Sequence, residues 1–210
     1  MSITYLLIAA NILAYFITST NDELKEKMLL RPYEVKRKNE WYRLVTSGFL
    51  HADLPHLFFN MFTLYFFGSN IELIFSELEL GGTFTYLTLY FTSIIISDLP
   101  SYFRYQDAYS YRSLGASGAV AAIVFATIVF NPWSSIYIYF IKISSLVYAV
   151  LFIIYCVYMG KRGQDNVNHD AHLWGALFGL GFTLLLIAVR RPELFNYILK
   201  ELQNPSLFGR

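Results

Sequence analysis

Residues 171–179 read AHLWGALFG, inside an apolar run that is closed by Arg190 and Arg191. Small residues recur every four positions at Ala171, Gly175 and Gly179, a pattern that lets two membrane helices approach closely. His172 lies on nearly the same helical face, so the small residues and an imidazole point at one neighbouring helix. Because a polar side chain in hydrocarbon is costly, the stretch predicts a membrane helix with a functional imidazole.

A second apolar run contains Gly115-Ala116-Ser117-Gly118 near its start. Ser113 could cap that helix, which would place Ser117 in the early turns, where backbone N–H groups lack intrahelical partners. If the two helices pack together, the imidazole can act as a base toward the hydroxyl, the minimum for nucleophilic acyl transfer. Taken alone, the Gly-Ala-Ser-Gly stretch is more typical of a helix-packing patch than of a catalytic site.

The composition predicts that lipid is the solvent of this chain. Hydrophobic residues make up 56% of its 210 residues, charged residues only 15%, and the mean hydropathy is +0.44. Soluble domains carry roughly 25% charged residues. The net charge of +1 and the lack of a long basic run give no support for nucleic-acid binding. The single cysteine excludes an intramolecular disulfide.

Six apolar segments have the length of membrane-spanning helices, about 17 to 25 residues. We therefore predict an all-α membrane protein, a six-helix bundle in one domain over residues 1–210, with both termini on the same side. Residues 21–53 form a long first loop and residues 191–210 a cytoplasmic tail with a short amphipathic helix. The predicted spans are 1–20, 54–75, 80–97, 114–131, 135–159 and 169–190.

Two polar residues share one face of the second span. Asp53-Leu54-Pro55 is typical of a helix start, and His56 and Asn60 follow with a spacing of four. Together they offer two donors for an oxyanion hole. Hydrogen bonding between helices for stability is the alternative.

The histidines also raise the question of a metal site. The four of them, His51, His56, His169 and His172, lack an H-E-x-x-H pair or a cysteine partner in the sequence, so we predict no metal. Asp170 faces away from His172 on a helix, which leaves a Ser-His dyad without an acidic third member. His169 lies one turn nearer the aqueous boundary, where we expect it to be solvated or near the helix cap.

Taken together, these motifs resemble the rhomboid family of intramembrane serine proteases, in its basic six-helix bacterial form. Any one motif is weak, but five occur in the order and spacing of that family. They are Trp41-Tyr42-Arg43 with Phe49-Leu50-His51, His51-x4-His56-x3-Asn60, Gly68-x3-Glu72, Gly115-Ala116-Ser117-Gly118, and Ala171-His172-x2-Gly175-x3-Gly179.

The resemblance implies a role for each matching position. Ser117 is the nucleophile, His172 the general base, and the Ser117 N–H with His56 and Asn60 binds the oxyanion. The remaining implied roles are structural: Trp41, Arg43 and His51 hold a first loop that lies partly in the outer leaflet, Glu72 is a hydrogen-bonding residue, and Gly118, Gly175 and Gly179 pack helices.

The resemblance also implies the setting of the reaction. Substrates are single-span membrane proteins in the lipid bilayer, usually cut at a small residue. No cofactor is involved. The location is the bacterial cytoplasmic membrane, and the oligomeric state stays open. The fifth helix and loop 160–168 act as a gate. A catalytically inactive rhomboid-like binder is the alternative, and a small transporter is a third possibility, disfavoured because the polar residues gather toward one membrane face.

Two positions depart from the family pattern. The family usually has an aromatic residue four positions after the nucleophile, stacked on the catalytic imidazole, where this chain has Ala121. It usually has a small residue two positions after the histidine, where this chain has Trp174. These changes suggest that the bulk has moved from the fourth helix to the sixth.

The charges outside the spans leave the orientation in conflict. Basic side chains cluster in loop 21–53, and a positive-inside count places that loop in the cytoplasm. The family places it outside, with the catalytic mouth. We follow the family, because a loop embedded in the interface is not an ordinary translocated loop.

Overall fold

The computed structural model describes residues 2–138, 140–163 and 167–209. Its architecture is helical, with one two-stranded antiparallel hairpin of β1 (Ser135–Ile138) and β2 (Ile141–Ser144). The helices in chain order are α1 (Ile3–Ser19), α2 (Asp22–Met28), α3 (Pro32–Lys38), α4 (Arg43–Thr46), α5 (Leu54–Thr63), α6 (Ser69–Glu77), α7 (Gly82–Tyr105), α8 (Ser117–Phe130), α9 (Ser145–Arg162), α10 (His169–Arg190) and α11 (Leu194–Leu202).

Three helical segments among the described residues are long and apolar enough to cross a membrane. They are Leu54–Glu77 with 24 residues, α9 with 18 and α10 with 22. Helices α1 and α8 are apolar but shorter, and α7 is long but rich in hydroxyl side chains. The helical class is confirmed, whereas the count of six spans stays a prediction.

The second span begins as its sequence predicts. The Asp53 side chain accepts the His56 N–H at 2.7 Å and Pro55 lies in the first turn. One wider turn, a π-helix over Leu64–Gly68, joins α5 to α6. In α6, Glu72 accepts hydrogen bonds from the backbone N–H groups of Ile3 and Thr4 and from the hydroxyls of Ser2 and Thr4. These bonds supply partners for backbone N–H groups in the first turn of α1.

Helix α8 lies in the middle of the bundle, with every residue from Gly118 to Phe130 buried. Its small side chains allow α10 to approach at backbone distance. A Cβ atom on Gly175 would overlap the Gly118 carbonyl oxygen, and one on Gly179 would overlap the Ala122 carbonyl oxygen. The predicted small-residue contact between these two helices is therefore observed, and it determines the separation of their N-terminal ends.

The first loop is folded rather than extended. The Arg43 guanidinium donates to the carbonyls of Glu26 at 2.7 Å and Leu29 at 2.9 Å and pairs with Glu40, which ties α2 to α4. Leu30 forms an antiparallel bridge with Ser113, joining this loop to the segment that enters α8.

Several predicted boundaries are wrong, each for a local reason. The fifth predicted span corresponds to α9, which begins at Ser145 and not at residue 135. Residues 135–138 and 141–144 pair as strands instead, and Ser144 caps the helix. The fourth predicted span corresponds to α8, which begins at Ser117 and not at residue 114. Ser113 does not cap this helix, because its bridge to Leu30 keeps the preceding backbone extended. The third predicted span corresponds to α7, which continues past Pro100 to Tyr105 rather than ending at residue 97.

The C-terminal part of the chain agrees with the prediction. Helix α10 covers His169–Arg190, as predicted, and α11 forms in the tail with Ile198 buried against the bundle. The predicted gate loop, residues 160–168, includes residues 164–166, which lie outside the described residues.

Candidate active site

A serine and a histidine from different helices lie in hydrogen-bond distance at one end of the bundle. Ser117 is the first residue of α8 and His172 belongs to the first turn of α10. Ser117 Oγ and His172 Nε2 are 2.7 Å apart. With the ring proton on Nδ1, the hydroxyl donates to Nε2, which is the arrangement that a base needs to accept the proton of a nucleophile.

The position of Ser117 at the start of α8 supplies further donors. The first intrahelical hydrogen bond of α8 runs from the Val120 N–H to the Ala116 carbonyl, at 2.9 Å. The N–H groups of Ser117 and Gly118 therefore precede the helical ladder, at the end where the helix dipole favours negative charge. Gly115, with φ of +133°, makes the turn that aims Ser117 into the site.

His56 faces the same turn. A Cβ atom on Gly115 would lie 3.1 Å from His56 Cε1, 3.4 Å from its Nε2 and 3.5 Å from Ser117 Oγ, so the missing side chain of Gly115 leaves open a space that borders both His56 and Ser117. The Ala52 N–H approaches His56 Nδ1 at 3.5 Å, which favours the ring proton on Nε2, the nitrogen near Gly115. Asn60 lies one turn below and its amide donates to the His56 carbonyl at 2.9 Å.

His51 supports His56 from behind. The two rings meet edge to face with centroids 5.1 Å apart, and His51 is fully buried in the first loop. Burial, with a smaller contribution from the neighbouring His56, lowers the pKa of His51 to about 4. A neutral ring at physiological pH therefore packs against His56.

Sequence reasoning missed Asn168, which holds the first turn of α10. Its Oδ1 accepts the Ala171 N–H at 3.1 Å, while its Nδ2 donates to the hydroxyls of Ser101 and Ser113 at 3.0 and 3.1 Å. One amide thus ties the start of α10, which carries His172, to α7 and to the entrance of α8. An asparagine just before a predicted helix start is the signal that could have found it.

His169 lies near the helix cap, which is one of the two positions that the sequence suggested. It is the first residue of α10, near the cap as expected, but it is only 4% exposed rather than solvated. Its ring meets the edge of Tyr155 from α9 at 5.4 Å. The neighbouring Asp170 pairs with Arg104 of α7.

The candidate catalytic groups border a cavity of about 1320 Å³. Ser117, His172, His56 and Asn60 all border it. Charged side chains of the loops, among them Asp22 and Arg112, lie along the same cavity and give it a polar end. The structural residues Trp41, Arg43, His51 and Glu72 are not among its lining residues.

The comparison with protein families decides the relationship. The Rhomboid domain model matches residues 38–189, which contain Ser117, His172, His56 and Asn60. This chain belongs to the rhomboid family. The family and the apolar helices together indicate an integral membrane protein.

Individual rhomboid relatives are similar over most of this chain. The putative rhomboid protease YdcA of Bacillus subtilis is 30% identical over 158 residues, 73% of this chain and 70% of that protein. The rhomboid protease GluP of the same organism is 27% identical over 180 residues, 83% of this chain and 33% of that protein. The mitochondrial RHOMBOID-like protein 12 of Arabidopsis thaliana is 31% identical over 145 residues, 64% of this chain and 43% of that protein. This chain spans about half the length of several of the curated relatives it matches.

The structure explains one of the two departures from the rhomboid pattern. Ala121 leaves space beside the imidazole, and Phe152 of α9 occupies it, with its ring centroid 6.3 Å from that of His172 and the planes 29° apart. Trp174 is 46% exposed on the outer face of α10. The suggestion that the bulk moved to the sixth helix is therefore wrong, because the aromatic ring near the imidazole comes from the fifth predicted span.

Proposed function

We propose that this chain is a serine-type intramembrane endopeptidase that cleaves single-span transmembrane proteins with a Ser117–His172 dyad. The observation that carries the proposal is the 2.7 Å separation of Ser117 Oγ and His172 Nε2 at the N-terminal ends of two packed helices. Membership of the rhomboid family, whose members generally are proteases of this kind, supports it.

The proposed reaction proceeds in two acyl-transfer steps. Ser117 Oγ attacks the scissile carbonyl carbon while its proton passes to His172 Nε2. The tetrahedral intermediate collapses, the peptide C–N bond breaks, and His172 returns the proton to the leaving amine. Water then attacks the ester carbonyl, again giving a proton to His172, and the acid product leaves with Ser117 restored.

The oxyanion of each tetrahedral intermediate is assigned to the Ser117 N–H, the His56 ring and the Asn60 amide. The position of Ser117 ahead of the helical ladder and the orientation of His56 Nε2 toward Gly115 support this assignment. Such donors are pre-oriented by the helices that carry them, so they need no rearrangement when charge develops. One donor is typically worth about 3 kcal/mol of transition-state stabilisation.

Hydrolysis within a membrane requires water and an unwound peptide. The cavity that runs from the charged loop residues to Ser117 provides the route for water. The rings of Tyr148, Phe152 and Phe125 line its inner side and offer an apolar surface to the side chains of a bound segment. We propose that a substrate helix unwinds near Ser117 and is cut at a small residue.

Six spans with both termini in the cytoplasm complete the proposal, with the catalytic mouth on the outer face of a bacterial cytoplasmic membrane. The end opposite to Ser117 gathers the segments that this topology requires. Arg191 donates to the Leu78 carbonyl at 2.9 Å, and the Ser144 N–H donates to the Leu207 carbonyl at 3.0 Å. The tail, the turn before α7 and the hairpin thus share one side.

A cleavage assay tests the proposal directly. The purified protein is incubated in proteoliposomes with fluorescently labelled single-span substrates, beside Ser117→Ala and the matched control Ser97→Ala, a serine on the same cavity. We expect cleavage by the parent and by Ser97→Ala and none by Ser117→Ala. Equal product from the parent and Ser117→Ala, or none from either over a broad substrate set, would refute the proposal.

Active-site labelling separates the protease from an inactive rhomboid-like binder. A fluorophosphonate should add once to the parent protein, as measured by intact mass, and should not add to Ser117→Ala. A binder without catalysis would retain substrate segments yet show neither adduct nor product. An adduct on Ser117→Ala would show that the nucleophile is another residue.

A further inference from the structure

A thiol and two imidazoles meet between α9 and α10, next to the Ser117–His172 pair. Cys156 Sγ and one ring nitrogen from each of His169 and His172 all lie within 4.8 Å of one another. A tetrahedral zinc ion with bonds of about 2.0–2.3 Å needs its ligand atoms about 3.4–3.6 Å apart. Closing the remaining distance takes a shift of little more than about 1 Å, which small side-chain rotations supply.

The two helices bring these residues together by close packing. His169 and His172 are three positions apart, so they share one face of the first turns of α10. Cys156 faces them from α9 and is 1% exposed. At Gly160, one turn farther along α9, a Cβ atom would lie 3.6 Å from His169 Cβ, so the two backbones run close together at this level. This grouping comes from tertiary packing, which is why the sequence spacing did not predict it.

The donor set selects a particular class of cation. One thiolate and two imidazoles favour Zn²⁺ and similar borderline-soft ions over Mg²⁺ and Ca²⁺, which prefer oxygen ligands. Both histidines line the cavity, which gives an ion a path from its polar end. Three protein ligands leave the fourth tetrahedral position for a water molecule.

We propose that Cys156, His169 and His172 form a binding site for a zinc-like divalent cation that inhibits the enzyme. The inhibition rests on the proposed function, since the ion occupies a nitrogen of the proposed general base. On binding, the Cys156 thiol loses its proton to solvent and its sulfur forms a bond to the cation. His172 coordinated in this way is held in the metal site and no longer exchanges protons with Ser117.

Cobalt binding tests the site without relying on activity. Co²⁺ bound by a thiolate gives a near-ultraviolet charge-transfer band, and this chain has one cysteine, so the band reports Cys156 alone. Full-length protein in detergent is titrated with Co²⁺, and Zn²⁺ is then added. We expect one cobalt ion per chain, displaced by zinc. Absence of the band, or a band that appears only at millimolar cobalt, would overturn the proposal.

Variants separate the site from other histidines and from the proposed protease function. Cys156→Ser should abolish the band, and His169→Gln should weaken cobalt binding at least tenfold, since even indirect partners of a metal contribute roughly 10- to 100-fold. Ser117→Ala should keep the band, so the metal site is tested even if no cleavage is found. A band of unchanged affinity in His169→Gln would overturn the ligand set. Melting temperatures confirm that each variant is folded.

The activity of the same variants tests inhibition. Zn²⁺ should inhibit the parent, and the concentration for half inhibition should rise at least about tenfold in both Cys156→Ser and His169→Gln. Both variants retain their basal cleavage, because neither residue belongs to the dyad or the oxyanion donors. Inhibition by zinc that is equal in the parent and Cys156→Ser would overturn this part of the proposal.

Discussion

Phe152 packs on the imidazole of His172 from a different helix, with the ring centroids 6.3 Å apart. Phe125 and Tyr148 each pack against Phe152 with ring centroids 5.7 Å apart, so two further aromatic side chains restrain the ring. The proposed base is therefore oriented by α9, the helix that the family resemblance assigns to the gate. Because Phe152 also lines the cavity, a displacement of α9 would remove this contact from His172.

Replacing Phe152 should lower turnover more than it weakens substrate binding. An aromatic contact of this kind is worth about 0.5–1.5 kcal/mol, so we expect Phe152→Ala to reduce kcat roughly 2- to 10-fold with a smaller change in KM. Phe152→Tyr should restore most of the activity. Leu151→Ala, at the exposed neighbouring position of α9, is the matched control. Equal kinetics for Phe152→Ala and Leu151→Ala would contradict the orienting role.

The contact between the two candidate catalytic helices was predictable from sequence, whereas the ring on the imidazole was not. The spacing of the glycines predicts close packing, with Gly175 and Gly179 on one helix and Gly118 on the other. A close contact between these helices brings Ser117 and His172 together. Phe152 is one of many aromatic residues on an apolar helix, and its role depends on the rotation and depth of α9. Neither can be read from periodicity.

The predicted helix starts are wrong where the sequence fits two kinds of structure or where a distant contact determines the backbone. Residues 135–144 are apolar enough to extend the fifth predicted span, but residues 135–138 and 141–144 are rich in isoleucine and tyrosine, which suit strands, and they pair as a hairpin. The Ser113 cap failed because a long-range bridge to Leu30 determines the backbone there. In contrast, α10 is bounded by an asparagine cap and an arginine pair, and its predicted limits are those observed.

His172 and His169 provide a direct test of which histidine is the base. The His172 Nε2 atom lies 2.7 Å from Ser117 Oγ, whereas the His169 ring packs edge to face against Tyr155 of α9. We expect His172→Ala to abolish both cleavage and fluorophosphonate labelling, and His169→Ala to retain most of each. The measurement is the rate of product formation together with intact mass after labelling. An inactive His169→Ala beside an active His172→Ala would reverse the assignment.

The oxyanion donors should affect turnover rather than affinity. Loss of one such donor costs roughly 100- to 1000-fold in rate elsewhere, and the backbone N–H of Ser117 remains in this site. We therefore expect His56→Ala and Asn60→Ala each to lower kcat by roughly 10- to 100-fold, and the double variant to lower it further, with KM nearly constant. Unchanged turnover in the double variant would show that the pair only stabilises the bundle.

The buried His51 should make the first loop sensitive to acid. Its pKa is about 4 when folded, against 6.5 as its ordinary value. Between these pH values the unfolded chain binds more protons, so His51 contributes its full stability above pH 6.5 and loses it as the pH falls toward 4. The slope is at most about 1.4 kcal/mol per pH unit. Melting temperatures of the parent and His51→Gln, measured across this range, should converge as the pH falls. Parallel curves would contradict this.

Asn168 should affect both stability and activity, because it caps α10 and ties that helix to Ser101 and Ser113. Loss of a cap costs about 1 kcal/mol, and each further hydrogen bond about 1 kcal/mol, so Asn168→Ala should melt several degrees lower. Because the same turn carries His172, a small displacement of the imidazole should also reduce kcat about 10- to 100-fold. Asn21→Ala removes the equivalent cap of α2, far along the chain from the dyad. It should lower stability slightly and leave kcat unchanged, and an equal loss of kcat in both variants would contradict a specific role for Asn168.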